Sequence, residues 1–199
     1  MRIRFYPRPF LRYKFFNSLF FGLSVGSLFT IYAPLSPSVF SVGGIVLAVG
    51  LLAIATLYQK ILTLRWFFYI TLFVELVVLA MVLFFLLHPY GTTTALLIYA
   101  GYQLTFMFGS YLVRAETLIV RKKRLLGWLD IFKQSGYLTG LIVSFLFYQM
   151  LERFWHITNH SEQVYHLHWL LLIDELAVIW WILYAFGVVG SRKRRGAAS

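Results

Sequence analysis

Six apolar stretches, each about as long as the hydrocarbon core of a bilayer is thick, dominate this chain. A helix needs about 20 mostly apolar residues to cross that core. The stretches run over about 15–33, 39–58, 66–87, 94–113, 125–151 and 169–189. The first ends at Pro34, and the fifth carries charges in its first turns. Backbone N–H and C=O groups find no water in hydrocarbon, so each stretch is expected to close its own hydrogen bonds as an α-helix. A β-barrel would alternate polar and apolar residues over shorter segments, and no such alternation occurs. The expected fold is an all-α integral membrane protein, one domain over residues 1–199 with six transmembrane helices. Composition agrees: 60% of residues are hydrophobic and 13% charged, and mean hydropathy is +0.77. A water-soluble domain with so little polar surface would aggregate.

Charge sets the expected orientation. The net charge is +11, and the basic residues fall in clusters between apolar stretches. Arg2, Arg4, Arg8, Arg12 and Lys14 precede or open the first stretch. Lys60 and Arg65 lie between the second and third, Arg121–Arg124 between the fourth and fifth, and Arg192–Arg195 after the sixth. The intervening connections hold only Arg153. Basic clusters on alternate connections mark the cytoplasmic side, so both termini are expected there, in a bacterial-type inner membrane. The same clustering speaks for charged membrane flanks and against a nucleic-acid groove. No small-residue cleavage site follows the first apolar run, which is expected to stay as a span. The absence of cysteine excludes disulfides, thiolate metal sites and cysteine catalysis.

Small residues four apart let helices approach closely in lipid. Gly22 and Gly26 do so in the first stretch, Gly44 and Ala48 in the second, and Gly136 and Gly140 in the fifth. Such pairs serve internal packing or a surface for a second bundle, and the second and fifth stretches are the candidates for the latter. The segment Arg114–Gly140 has an acidic residue, Glu116, near the end of one stretch. A basic turn, Arg121–Arg124, follows, and then a stretch bearing Gly127, Gly136 and Gly140. In that order it resembles the fourth-to-fifth helix connection of major facilitator superfamily transporters. The family signature between the second and third helices is reduced here to Leu57 and the charge of Lys60, with Gln59 at the place of its aspartate. The resemblance spans the chain as one six-helix half. It implies a homodimer, with first and fourth helices lining a route, second and fifth forming a seam, and third and sixth outside.

Charges inside the apolar stretches are the transport and coupling candidates. Glu75 lies mid-stretch, where an ionised side chain costs a few kcal/mol and burial favours the neutral form. It serves either proton or ion coupling or a hydrogen bond between helices. Asp174 and Glu175 lie about one turn into the sixth stretch, and as neighbours on a helix they point apart. Their shallow place suggests interfacial acids. Asp130 and Lys133, three apart, can pair on one helix face. Arg114 and Glu116 end the fourth stretch, where Arg114 either snorkels or joins a salt-bridge gate at the cytoplasmic mouth. Gln103, Thr105 and Ser110, with Ser24 and Ser27, offer hydrogen bonds to a polar solute or between helices.

Every histidine falls on the opposite side from the basic clusters, with His88 in one turn and the rest in the long connection 152–168. His156 and His160 would share a face if that segment is helical, and His166 with His168 if it is extended. Imidazoles there could hold a transition metal; otherwise no cofactor is expected. No phosphate-binding glycine loop, zinc-protease glutamate or base-activated nucleophile is visible, and no histidine for haem lies within the stretches. The chain is therefore expected to be no enzyme but a transporter of a small solute or ion by alternating access. The alternative is a non-transporting assembly or anchor subunit that uses its histidine-rich segment.

Overall fold

A computed structural model describes residues 3–188. The basic cluster Arg192–Arg195, Arg2 and the predicted last residue of the sixth stretch lie outside the described residues. Eight helices form six rods: α1 (Pro7–Tyr32), α2 (Pro37–Thr56) with the one-turn α3 (Tyr58–Ile61), α4 (Leu64–Leu87), α5 (Thr92–Met107) continued by α6 (Gly109–Val120), α7 (Lys123–Trp155) and α8 (His160–Ala185). Among the described residues there is no strand. Five of the rods are long and apolar enough to cross a membrane: α1, α2, α4, α5–α6 and α8. The fifth predicted stretch forms the 33-residue α7, which carries too many polar residues to join them.

Helix ends follow local chemistry. Pro7 and Pro37 stand in the first turns of α1 and α2, where a missing N–H costs no hydrogen bond. Thr63 accepts the Trp66 N–H at the start of α4, and Asn159 accepts the Ser161 N–H at the start of α8. Helix α7 closes on His156 in a left-handed conformation, φ 55°.

Two boundaries differ from expectation, for one reason. Helix α1 begins at Pro7, so Arg8, Arg12 and Lys14 are helical rather than a tail. Helix α8 begins at His160, so the expected outer loop shrinks to residues 156–159 between α7 and α8. In both places polar side chains find partners inside the bundle, and hydropathy alone reads them as outside it.

Helix α1 packs along both α7 and α8; α4 packs on α8 and α5, and α2 on α5. Counting the rods in chain order, the most extensive pairings are first with fifth and sixth, third with fourth and sixth, and second with fourth. Exchanging rods one, two and three for four, five and six reproduces this same set.

The α1–α7 seam is the closest approach. A Cβ on Gly136 would strike the Phe15 carbonyl, and one on Gly140 the Leu19 carbonyl and the backbone of Gly22. Gly136 and Gly140 thus serve α1 within the chain, not a seam with a second bundle. Gly44 and Ala48 face outward from α2, and a Cβ on Gly44 would touch nothing.

The buried apolar side chains fall into two clusters. One is built from Phe20, Leu23, Val78, Ile98 and Leu171, the other from Phe10, Phe67, Tyr111, Leu129 and Ile182. At the level between them lie Asn17, Glu75, Asp174 and Glu175. The break between α5 and α6 at Phe108 falls there too, between Tyr102 of one cluster and Tyr111 of the other. The second cluster also meets the ends of the chain segments that carry Lys60 and Arg121–Arg124. The described basic connections therefore share one end of the bundle. The turns holding His88 and His156 lie at the other, where the Tyr90 hydroxyl reaches the Ser161 carbonyl at 3.4 Å.

Candidate functional site: a buried ionic layer on the first helix

Three residues of α1 reach the interior charges. The Tyr13 hydroxyl donates to Glu75 Oε1 at 2.6 Å, and Asn17 Nδ2 donates to both Glu75 oxygens at 3.2 and 3.4 Å. Tyr13 and Asn17 are four apart, so they share a helix face. Lys14 lies beside them, 8% exposed, and pairs with Glu116 Oε2 of α6 at 2.5 Å. The other Glu116 oxygen takes Lys133 Nζ of α7 at 2.6 Å. The Lys14 ammonium also lies 5.4 Å from the Phe10 ring centre and 5.2 Å from that of Tyr13, a contact that favours a desolvated cation.

Glu75 is 1% exposed and points into the bundle. A side chain at the middle of α4 has either lipid or the α1–α8 face to meet, and only the latter offers donors. Replacing Tyr13 by Phe removes the shorter of its bonds. The variant is expected to lose about 1.5–3 kcal/mol of stability, the range for a hydrogen bond to a charged group. Unfolding in mixed detergent micelles measures it.

Asp174 and Glu175 are not interfacial. Because α8 starts nine residues before the predicted sixth stretch, they sit near its middle and are 6% and 1% exposed. The charges of Glu75, Asp174 and Glu175 are close enough to act on one another. Neither Asp174 oxygen, nor Oε1 of Glu175, meets a donor among the described residues.

The expected Asp130–Lys133 pair does not form. Lys133 turns to Glu116, whose partner Lys14 draws the carboxylate inward, and Asp130 is exposed. Arg114 is exposed and lies over the Tyr58 ring at 5.3 Å, not against an acid. Gln103 is half-buried, and its Oε1 has no partner among the described residues. Ser24, Ser27 and Thr105 bond carbonyls of their own helices.

The histidines do not gather. His156 ends α7 and His160 opens α8, so they do not lie on one helix. His166 and His168 lie on a helix, where two-residue spacing points them apart. His168 is buried, bonded to the Val164 carbonyl and stacked on Phe85 at 3.8 Å. Among the described residues no group of three or more His, Asp or Glu side chains is placed to hold a metal ion.

Tyr13, Lys14 and Asn17 went unread in the sequence as site residues. The signal was present in the four-residue spacing of Tyr13 and Asn17 beside a lysine on a face that continues into an apolar helix. Comparison of the chain with protein families, with curated proteins and with solved structures gave no match.

Proposed function

We propose that the chain is a membrane transporter of a small solute or ion, working by alternating access as a half-size unit paired with a second copy. The buried ionic layer carries this reading. Ionisable side chains inside a membrane bundle are costly and mark pathways or moving parts. Here they tie α1 to α4 and α6, and α6 to α7, through bonds that a change of protonation weakens. The exchange of rods one to three with four to six adds support. Two three-rod units of odd number run in opposite senses, the inverted repeat on which many transporters are built. The outward Gly44 and Ala48 of α2 are the small residues left for the second copy. The likeness to a major facilitator half belongs to the same proposal, as do six crossings with both termini cytoplasmic in an inner membrane.

Purified protein in liposomes is expected to carry flux driven by a pH or ion gradient. Glu75→Gln is expected to abolish gradient-driven flux while the fold survives, because Gln still accepts from Tyr13. Undiminished flux in Glu75→Gln removes Glu75 from the mechanism. A protein that assembles but carries no solute or ion across many gradients is a non-transporting subunit.

A further inference from the structure

Among the described residues the interior holds four carboxyl groups, Glu75, Glu116, Asp174 and Glu175, against the Lys14 ammonium, with half-buried Lys133 at its edge. The donors are not shared evenly. Glu116 takes both lysines, and Glu75 takes Tyr13 and Asn17 with Lys14 close by. Glu116 thus has the surroundings of an ionised carboxylate, and Glu75 has donors for whichever form it takes. Among the described residues, no donor meets either Asp174 oxygen or Oε1 of Glu175. A lone ionised carboxyl at that depth is far costlier than a neutral one. A divalent cation would need several converging oxygens, and no such group occurs among the described residues.

We infer that Asp174 and Glu175 each hold a proton at neutral pH, and that this pair on α8 is a proton store facing Glu75.

Two cavities lie on the histidine-bearing side of the pair, the smaller one lined by Leu171, one turn before Glu175 on α8. A cavity of about 180 Å³ lies there, between Thr30, Phe85, Tyr90 and Ser161. It shares Ile31 with a second cavity of about 10 Å³, room for one water, beside Ser27, Tyr102 and His168. His168 and Glu175 are seven residues apart on α8 and so share a face. Tyr102 is close enough to Glu175 to feel its charge. The titratable groups around the pair are thus Tyr13 of α1, Glu75 of α4, Tyr102 of α5 and His168 of α8 itself, with Lys14 of α1 beside Glu75. Glu116 and Lys133 lie one step further, through Lys14.

The use of these protons rests on the transport reading above: a proton passed from Glu175 to Glu75 neutralises Glu75, weakening the Tyr13 and Asn17 bonds and freeing the pull on Lys14. Glu175 is left ionised until a second proton arrives from the medium. The proton sites themselves do not need that reading. Infrared difference spectroscopy of the full chain in lipid reads the carbonyl stretch of protonated carboxyls directly. At neutral pH the band is expected to be present, and to fall as the medium is made alkaline. It is expected to lose about half its intensity in Asp174→Asn and in Glu175→Gln, and to persist in Glu75→Gln. The other three acids, Asp130, Glu152 and Glu162, are exposed. Absence of the band in the unmodified protein at neutral pH overturns the inference without recourse to any variant. So does a band unchanged in Asp174→Asn or Glu175→Gln. A band that behaves as expected in a protein that carries no flux leaves the proton store standing and removes the transport reading alone.

Discussion

Replacing Glu116 by Ala is expected to destabilise the bundle by about 3–5 kcal/mol, the cost of leaving a buried ion without its partner. Lys14 is the residue left stranded: it is 8% exposed, and Glu116 is its ion-pair partner. Lys133 contributes less, because its side chain keeps 27% of its exposure and water screens it. The variant Lys14→Met/Glu116→Met/Lys133→Met is expected to regain most of the loss. It removes every charge of the triad together and fills the space with apolar side chains, an exchange often neutral or stabilising. Unfolding in mixed detergent micelles, followed by tryptophan fluorescence, compares the three proteins. If Glu116→Ala is as stable as the parent, the triad does not exist in the membrane. If the triple variant folds well but carries no flux, the ions serve motion rather than stability.

Gly140→Val is expected to part α1 from α7 and to cost at least about 3 kcal/mol, at or beyond the upper end for overpacking. The added Cβ would meet backbone, the Leu19 carbonyl and the Cα of Gly22, which cannot rotate away as a side chain can. Gly44→Val is the control. Its Cβ meets nothing within the chain, so the monomer is expected to be as stable as the parent, and only association of copies through α2 would suffer. Cross-linking in nanodiscs together with thermal unfolding separates the two effects. Equal losses in both variants would contradict the packing described for α1 and α7.

The rods were legible because hydrophobic length is a local property. Five of the six predicted stretches coincide with helices apolar enough to cross a membrane, and the fifth stretch is a helix as well. What could not be read locally was which polar residues have partners. Lys14 counts as a flanking charge until Glu116 is placed beside it, far along the chain. The segment 160–168 looks like a loop until Gln163 is bonded to Glu152 and the Ile157 carbonyl, and His168 is stacked on Phe85. That nine-residue error moved Asp174 and Glu175 from the interior to an interface. Glu75 was identified because a carboxyl amid Leu and Val is costly in lipid and needs a partner. Tyr13 and Asn17 were missed because each is unremarkable alone. The glycine spacing was sound, yet it does not say which helix fills the notch, and for Gly136 and Gly140 that helix is α1.

The placement of Lys14 bears on how the protein is made. Helix α1 leaves the ribosome before α6, bearing an ammonium whose partner carboxylate has not yet been translated. Until Glu116 emerges, Lys14 has no carboxylate partner and is expected to snorkel toward the headgroups. Burial of this ammonium is therefore a late event, following the arrival of one glutamate.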